Sequence, residues 1–114
     1  MAKVTRGDAI KAATTALDNL QDGELVATGV RTSLDWLTTE HPGRAVEVRV
    51  PPYRAVQILG GTTHRRGTPP AVVEMSAQSW LELFTGKINW ADVLSSGQVI
   101  ASGERSNLSL IFPE

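Results

Sequence analysis

The spacing of apolar residues along the chain changes near its middle. In residues 5–20 and again in residues 24–40, apolar side chains recur every three or four positions, which places them on one face of a helix. Pro42 and Gly43 follow the second run and would stop a helix there. The pattern therefore predicts a pair of amphipathic helices over residues 5–41.

The ends of these two helices carry local signals. Thr5, followed three positions later by Asp8, resembles a capping box at the start of the first helix. Gly23 lies where a left-handed residue would end that helix. His41 falls at the C-terminal end of the second helix, where a cation favours the helix dipole. Gly29 lies inside the second helix and is expected to weaken it by about 1 kcal/mol relative to alanine.

From residue 45 onwards the period becomes two. Residues 45–50 alternate between apolar and polar side chains, and residues 53–59 resume as a strand after two prolines, which predicts an antiparallel hairpin. Residues 60–70 show no pattern. Residues 71–75 alternate again and predict a third short strand.

Two short helices and a last strand complete the pattern. Ser76 can cap a helix that ends at Gly86, and Asn89 can cap a second helix that ends before Gly97. Residues 98–102 are predicted to form a fourth strand. The segment that follows it is predicted to be helical or extended.

This order of elements predicts a single α+β domain spanning residues 1–114. Two N-terminal helices occupy residues 5–41, and the sheet with its short helices occupies residues 44–112. A chain of 114 residues is long enough for one hydrophobic core and too short for two. We expect an antiparallel sheet with its helices gathered on one face.

Composition and charge narrow the classes of function. The net charge is −1, so no overall positive field favours nucleic acid, and the arginines are interspersed with acids. The absence of cysteine excludes disulfides and thiolate chemistry. No apolar run approaches the roughly 18 residues of a membrane span, and no signal-peptide pattern opens the chain. We expect a cytoplasmic protein with neither a nucleic-acid partner nor stable membrane insertion.

The block from residue 71 to residue 103 resembles the C-terminal half of the sterol carrier protein domain. There a strand ending in methionine leads to a Trp- or Phe-bearing helix, a Gly-Lys pair, a second helix and a Gly-flanked strand. The segments VEVRVPPY, HRRGTPP and VVEM are also similar to a stand-alone actinobacterial branch of that family. The residues that match the pattern are Met75, Trp80, Leu81, Thr85, Gly86, Lys87, Asn89, Ala91, Gly97, Val99 and Gly103.

The resemblance implies an antiparallel sheet of about five strands, partly covered by helices that enclose an apolar cavity for a lipid, sterol or fatty-acyl chain. We expect such a ligand to be bound without catalysis and without a cofactor. The residues predicted to line such a pocket are Val73, Met75, Trp80, Phe84, Trp90, Leu94, Leu108 and Phe112. The alternative is that aromatic residues at helical spacing are simply core, with Trp80 and Trp90 filling the space that a ligand would occupy.

Arg65 and Arg66 lie in the patternless loop and could hold an anionic head group, because guanidinium groups suit bidentate contacts. The alternative is an ordinary solvated loop. Catalysis has little support in the sequence, since neither a zinc motif of the HExxH type nor a GxSxG elbow occurs. We therefore expect no metal site and no enzyme.

A second class of function stays open beside ligand binding. Leu59 and Ile100 alternate with the other apolar residues of their strands, so they are predicted to lie on the opposite face of the sheet. Exposed apolar residues on a sheet face can mark a contact with a partner, including a homodimer. The chain would then be a ligand-free accessory or protein-interaction module that acts through its outer sheet face.

Overall fold

The structure, a computed structural model, describes residues 4–60, 71–102, 108 and 111–112. It confirms the α+β class: two helices come first, then a hairpin, a third strand, two short helices and a fourth strand. In chain order the elements are α1 Arg6–Leu17, α2 Gly23–Glu40, β1 Gly43–Val50, β2 Arg54–Gly60, β3 Ala71–Met75, α3 Ala77–Phe84, α4 Trp90–Ser95 and β4 Val99–Ser102.

The helices begin where the sequence places capping side chains. The Thr5 side chain accepts a hydrogen bond from the Asp8 amide at 3.0 Å. Ser76 accepts one from the Ser79 amide at 3.1 Å, and Asn89 accepts one from the Asp92 amide. Each bond satisfies an amide that has no partner within the first turn. The three predicted N-terminal caps are confirmed.

The prediction for Gly23 is wrong. Helix α1 ends earlier, at Leu17, with Asp18 as its C-cap. Gly23 is instead the first residue of α2, whose cap is Asp22, with its carboxylate accepting from the amides of Glu24 and Leu25. An acidic cap followed by glycine is an ordinary helix start, and the pattern of apolar residues alone does not show it.

The sheet is mixed, with strand order β2-β1-β3-β4. Strands β1 and β2 form the predicted antiparallel hairpin, and β3 pairs antiparallel with β4. Strand β3, however, lies parallel to β1, so the prediction of a purely antiparallel sheet needs correction. The described residues form four strands, against about five expected. Strand β3 lies on the other side of β1 from β2 and begins beside Val46, near the start of β1, so the two strands run in the same direction.

The strand register gathers apolar side chains on one face of the sheet. Val48 lies between Val56 of β2 and Val73 of β3, and Met75 lies opposite Val99 of β4. All five are buried, and the helices contact one another and the sheet around this core. The hydrophobic core therefore lies between the helical layer and this face.

Helices α1 and α2 approach each other closely at Gly29. A Cβ atom built on Gly29 would lie 2.6 Å from the Cβ of Ala16 and 2.9 Å from the carbonyl oxygen of Ala12. No side chain fits at such distances without displacing one helix. The glycine that the sequence suggests as a weak point of α2 is thus the residue that permits the contact with α1.

A buried hydrogen-bond chain joins α3 to α2. The indole Nε1 of Trp80 donates to Oγ of Ser33 at 2.8 Å, and Oγ of Ser33 donates to the carbonyl of Gly29 at 2.7 Å. Trp80 and Ser33 are both 0% exposed. The indole therefore sits in the core with its only polar atom satisfied, as a buried tryptophan requires.

Candidate functional site

A cleft of about 490 Å³ opens at one end of the helical layer. The start of α1, the end of α2, the end of α3 and the link to α4 surround it, together with residues 111–112. This end lies away from the turn between α1 and α2. The main apolar side chains in its wall are Ile10, Trp36, Phe84, Ile88, Ile111 and Phe112.

Aromatic rings stacked edge to face build the cleft wall. The rings of Trp36 and Phe84 have centroids 5.7 Å apart with an interplanar angle of 69°. Trp36 also meets the ring of His41 edge-on at 6.3 Å. Such pairs hold flat rings at fixed angles, so they form a firm apolar surface.

The same wall continues into the core through Trp80. The centroid of the Trp80 ring lies 5.5 Å from that of Phe84 and 5.6 Å from that of Phe112. Phe84 and Trp80 lie four residues apart on α3, so they share one helical face. The cleft is therefore an opening at the edge of the core, and the buried indole of Trp80 packs behind the two phenylalanine rings that line it.

The cleft also has polar residues. Among its lining residues, Arg6 (the first residue of α1), His41, Lys87 and Asp92 of α4 have ionisable side chains. Lys87 follows Gly86, whose φ of 82° is the left-handed conformation that ends α3 and turns the chain towards α4. An apolar wall with a few charged groups is the arrangement of many small-molecule sites.

The eight residues predicted to line a pocket fall into three groups. Phe84 and Phe112 line the cleft. Leu94 is 44% exposed on α4 and lies outside the lining. The remaining members are buried in the core and do not reach the cleft; they are Val73, Met75, Trp80, Trp90 and Leu108.

Three residues singled out in the sequence, Arg65, Arg66 and Trp90, differ in what the structure shows of them. Arg65 and Arg66 lie outside the described residues, so their assignment to an anionic head group stays a prediction. Nε1 of Trp90 is buried without a hydrogen-bond partner in the described part of the chain. The Trp90 side chain thus contributes through the packing of its ring, whereas Trp80 contributes through both ring packing and the hydrogen bond from its indole nitrogen.

Sequence reasoning missed Trp36, Ile10, Arg6 and Lys87 as cleft residues. The apolar stripe of α2 runs through Val26, Val30, Leu34 and Leu37, and Trp36 lies beside it. A large aromatic residue beside the apolar stripe of a helix indicates a possible cleft residue, because its side chain is only partly buried by the packing of that stripe. The isolated charges of Arg6 and Lys87 carry no comparable signal.

The outer sheet face has a different character. Glu47 and Arg49 form an ion pair there, and Nε2 of Gln57 donates to Glu47 at 3.4 Å. The hydrogen bond from Arg49 lowers the pKa of Glu47, and the bond from Gln57 adds to this against the opposing effect of burial. Ile100 on β4 is 68% exposed on the same face, whereas Leu59 is half-buried.

Residues 4–60, 71–102 and the described tail positions contain no group of three or more metal-ligating side chains. None of the helices there has the length and apolar character needed to cross a membrane.

Comparison with known protein families matches residues 22–114 to a family described as a bacterial SCP ortholog. The matched stretch starts at the cap of α2 and includes the sheet, α3 and α4, while α1 precedes it. A search of curated proteins finds no match to the chain.

Proposed function

Because the chain belongs to the family of bacterial SCP orthologs, we propose that it binds an apolar small molecule, such as a lipid or fatty-acyl chain, without transforming it. The ligand lies in the cleft between the start of α1, the end of α2 and the end of α3. The observation that carries this proposal is the aromatic wall formed by Trp36, Phe84 and Phe112 around an open volume of about 490 Å³.

The dimensions of the cleft support a small-molecule ligand. Its volume falls within the range of about 300–1,000 Å³ that such sites occupy. Each methylene group removed from water contributes about 0.8 kcal/mol, so even part of an acyl chain against this wall gains appreciable affinity. Binding to a preformed surface of stacked rings also avoids much of the cost of ordering side chains.

The polar groups of the cleft favour binding over catalysis. His41 packs its ring against Trp36, and Asn89 uses its side chain to cap α4. A catalytic centre needs a nucleophile or base oriented by a partner, and no described hydrogen bond joins His41 to an acid or a hydroxyl group. The cleft therefore has a surface to hold a chain and no assembled reactive group.

The test is a titration with a polyene fatty acid that absorbs where tryptophan emits. Trp36 lines the cleft, whereas Trp80 and Trp90 are buried. We expect saturable quenching at micromolar ligand, and a weaker affinity in Trp36→Ala, which removes part of the aromatic wall while Trp80 and Trp90 still report binding. Emission unchanged up to the solubility limit of the ligand would contradict the proposal.

The second candidate is a ligand-free interaction module that uses the outer sheet face. Ile100 favours it, since its side chain is 68% exposed on the edge strand β4. Its neighbour in register is Glu74, and the ion pair of Glu47 and Arg49 lies further along the sheet, so an exposed isoleucine lies beside charged residues on this face. Native mass spectrometry separates the two candidates: a bound lipid mass supports the carrier, and a ligand-free dimer lost in Ile100→Glu supports the module.

A further inference from the structure

We propose, on the basis of the carrier function above, that the cleft selects single-chain amphiphiles with an anionic head group, and that Arg6 and Lys87 hold that head group. Arg6 lies at the start of α1 and Lys87 in the link between α3 and α4, yet both line the same cleft. Their chemistry distinguishes a carboxylate or phosphate ligand from a neutral alcohol or sterol.

The charges around the cleft have an excess of positive sign. Arg6 and Lys87 are cations, Asp92 is the acid in the lining, and His41 adds a further nitrogen base. An apolar chain against the aromatic wall would leave its head group at the open rim, where these long side chains can reach it. Attraction at a partly exposed rim is modest, so it selects among ligands that the wall already binds.

The two cations are also not engaged elsewhere in the described part of the chain. The ion pairs found there join Glu47 to Arg49 and Asp35 to Arg54, the latter at 2.7 Å. Neither pair involves Arg6 or Lys87. An incoming anion therefore has no described carboxylate to displace from them.

Backbone dipoles do not supply the selectivity. The cleft is bordered by the N-terminal ends of α1 and α4 and by the C-terminal ends of α2 and α3. Helix ends of opposite partial charge largely offset one another at such a meeting point. Side chains thus decide the charge of the preferred head group, and substitution of Arg6 and Lys87 tests their part in this preference.

Helix α1 contributes one of the two cations of the cleft. It lies before residues 22–114, the stretch that matches the family, and it contributes both Arg6 and Ile10 to the cleft. Its position is fixed by the close contact of Ala12 and Ala16 with Gly29. Head-group selection through Arg6 is therefore a property that this chain adds outside the matched stretch.

The experiment compares dodecanoate with dodecan-1-ol, two ligands of equal chain length that differ in head-group charge. Affinities are measured at low salt by displacement of the polyene probe, because screening is weakest there. The parent protein should bind the acid about tenfold more tightly, which corresponds to about 1.4 kcal/mol. The double variant Arg6→Gln/Lys87→Gln should lose that preference and keep the affinity for the alcohol.

The matched control is Lys11→Gln/Arg31→Gln, which removes two cations from exposed helix positions outside the cleft lining. It should retain the preference for the acid. Unfolding midpoints for both double variants verify that they are folded. If neither ligand binds the parent, the carrier function itself fails.

Two other results would overturn the inference while leaving the carrier function in place. One is equal affinity of the parent for acid and alcohol. The other is a preference that survives Arg6→Gln/Lys87→Gln but disappears in Arg65→Gln/Arg66→Gln, which would assign the head group to the loop of residues 60–70.

Discussion

The two ends of the α1–α2 helix pair are packed in opposite ways. Near the turn between the helices, Ala16 meets Gly29, and no space remains for a Cβ atom on that glycine. At the other end Ile10, Trp36 and Phe84 line the cleft. Small residues close one end, while large residues leave the other end open.

The two tryptophans Trp80 and Trp36 show what this difference means. Trp80 lies in the closed region, fully buried and bonded to Ser33, so its ring contributes to stability. Trp36 lies in the open region, half-buried against Phe84, with part of its ring facing the cleft. One residue type thus contributes to core packing in one region and lines the proposed binding cleft in the other. Burial and a polar partner distinguish the two roles.

The largest expected effect separates these tryptophans directly. Trp80→Ala should lower the free energy of unfolding by about 3–5 kcal/mol, because it leaves a large cavity in the core. Trp36→Ala should lower it by only about 1–2 kcal/mol, since its ring is only partly buried. Denaturant unfolding of both variants measures the difference. A folded Trp80→Ala protein with an unchanged midpoint would contradict the distinction between closed and open regions.

A smaller effect is expected at the helix contact itself. Gly29→Ala places a methyl group where Ala16 and the Ala12 carbonyl already lie, and overpacking of this kind costs about 1–3 kcal/mol. Gly23→Ala is the matched control, because its Cβ would meet nothing within 4 Å. We expect the control to stay within about 0.5 kcal/mol of the parent. Similar midpoints for the two variants would mean that α1 moves away from α2 without cost.

The smallest effect lies on the outer sheet face, remote from both regions. The folded-state pKa of Glu47 is lowered, so the ion pair with Arg49 contributes stability above the ordinary glutamate pKa. That contribution is lost as pH falls through the folded-state pKa. For a partly exposed pair it amounts to about 0.2–1 kcal/mol. Arg49→Gln should flatten this part of the stability profile below about pH 4.5, and an unchanged profile would show that the pair contributes nothing measurable.

The parts of the fold that sequence predicts are those decided by neighbouring residues. Thr5, Ser76 and Asn89 each cap a helix through the amide three positions ahead, so the signal and its partner lie in one short stretch. The alternation of β1 likewise shows which of its side chains are buried. The local sequence does not predict that β3 runs parallel to β1, because strand pairing depends on where a distant segment returns to the sheet.

The candidate site was predictable only in part for the same reason. Phe84 and Phe112 are aromatic residues that a resemblance could identify. Arg6 and Lys87 lie far apart in the sequence, and the packing of α1 against α2 and α3 brings them to one cleft. Helix propensity alone makes Gly29 unfavourable in α2. Propensity does not describe the close contact with α1, which only a glycine at this position permits.

The mixed sheet has a consequence for the order in which the protein can assemble. Val46 pairs with Ile58 within the hairpin and with Ala71 across the parallel pair, a partner about twice as far along the chain. Closing the longer loop costs more chain entropy, and non-local pairing slows folding. During synthesis β1 and β2 emerge together and can pair at once, whereas β3 and then β4 must await later residues. The hairpin can therefore form first, and β3, β4 and the short helices α3 and α4 can pack onto it later.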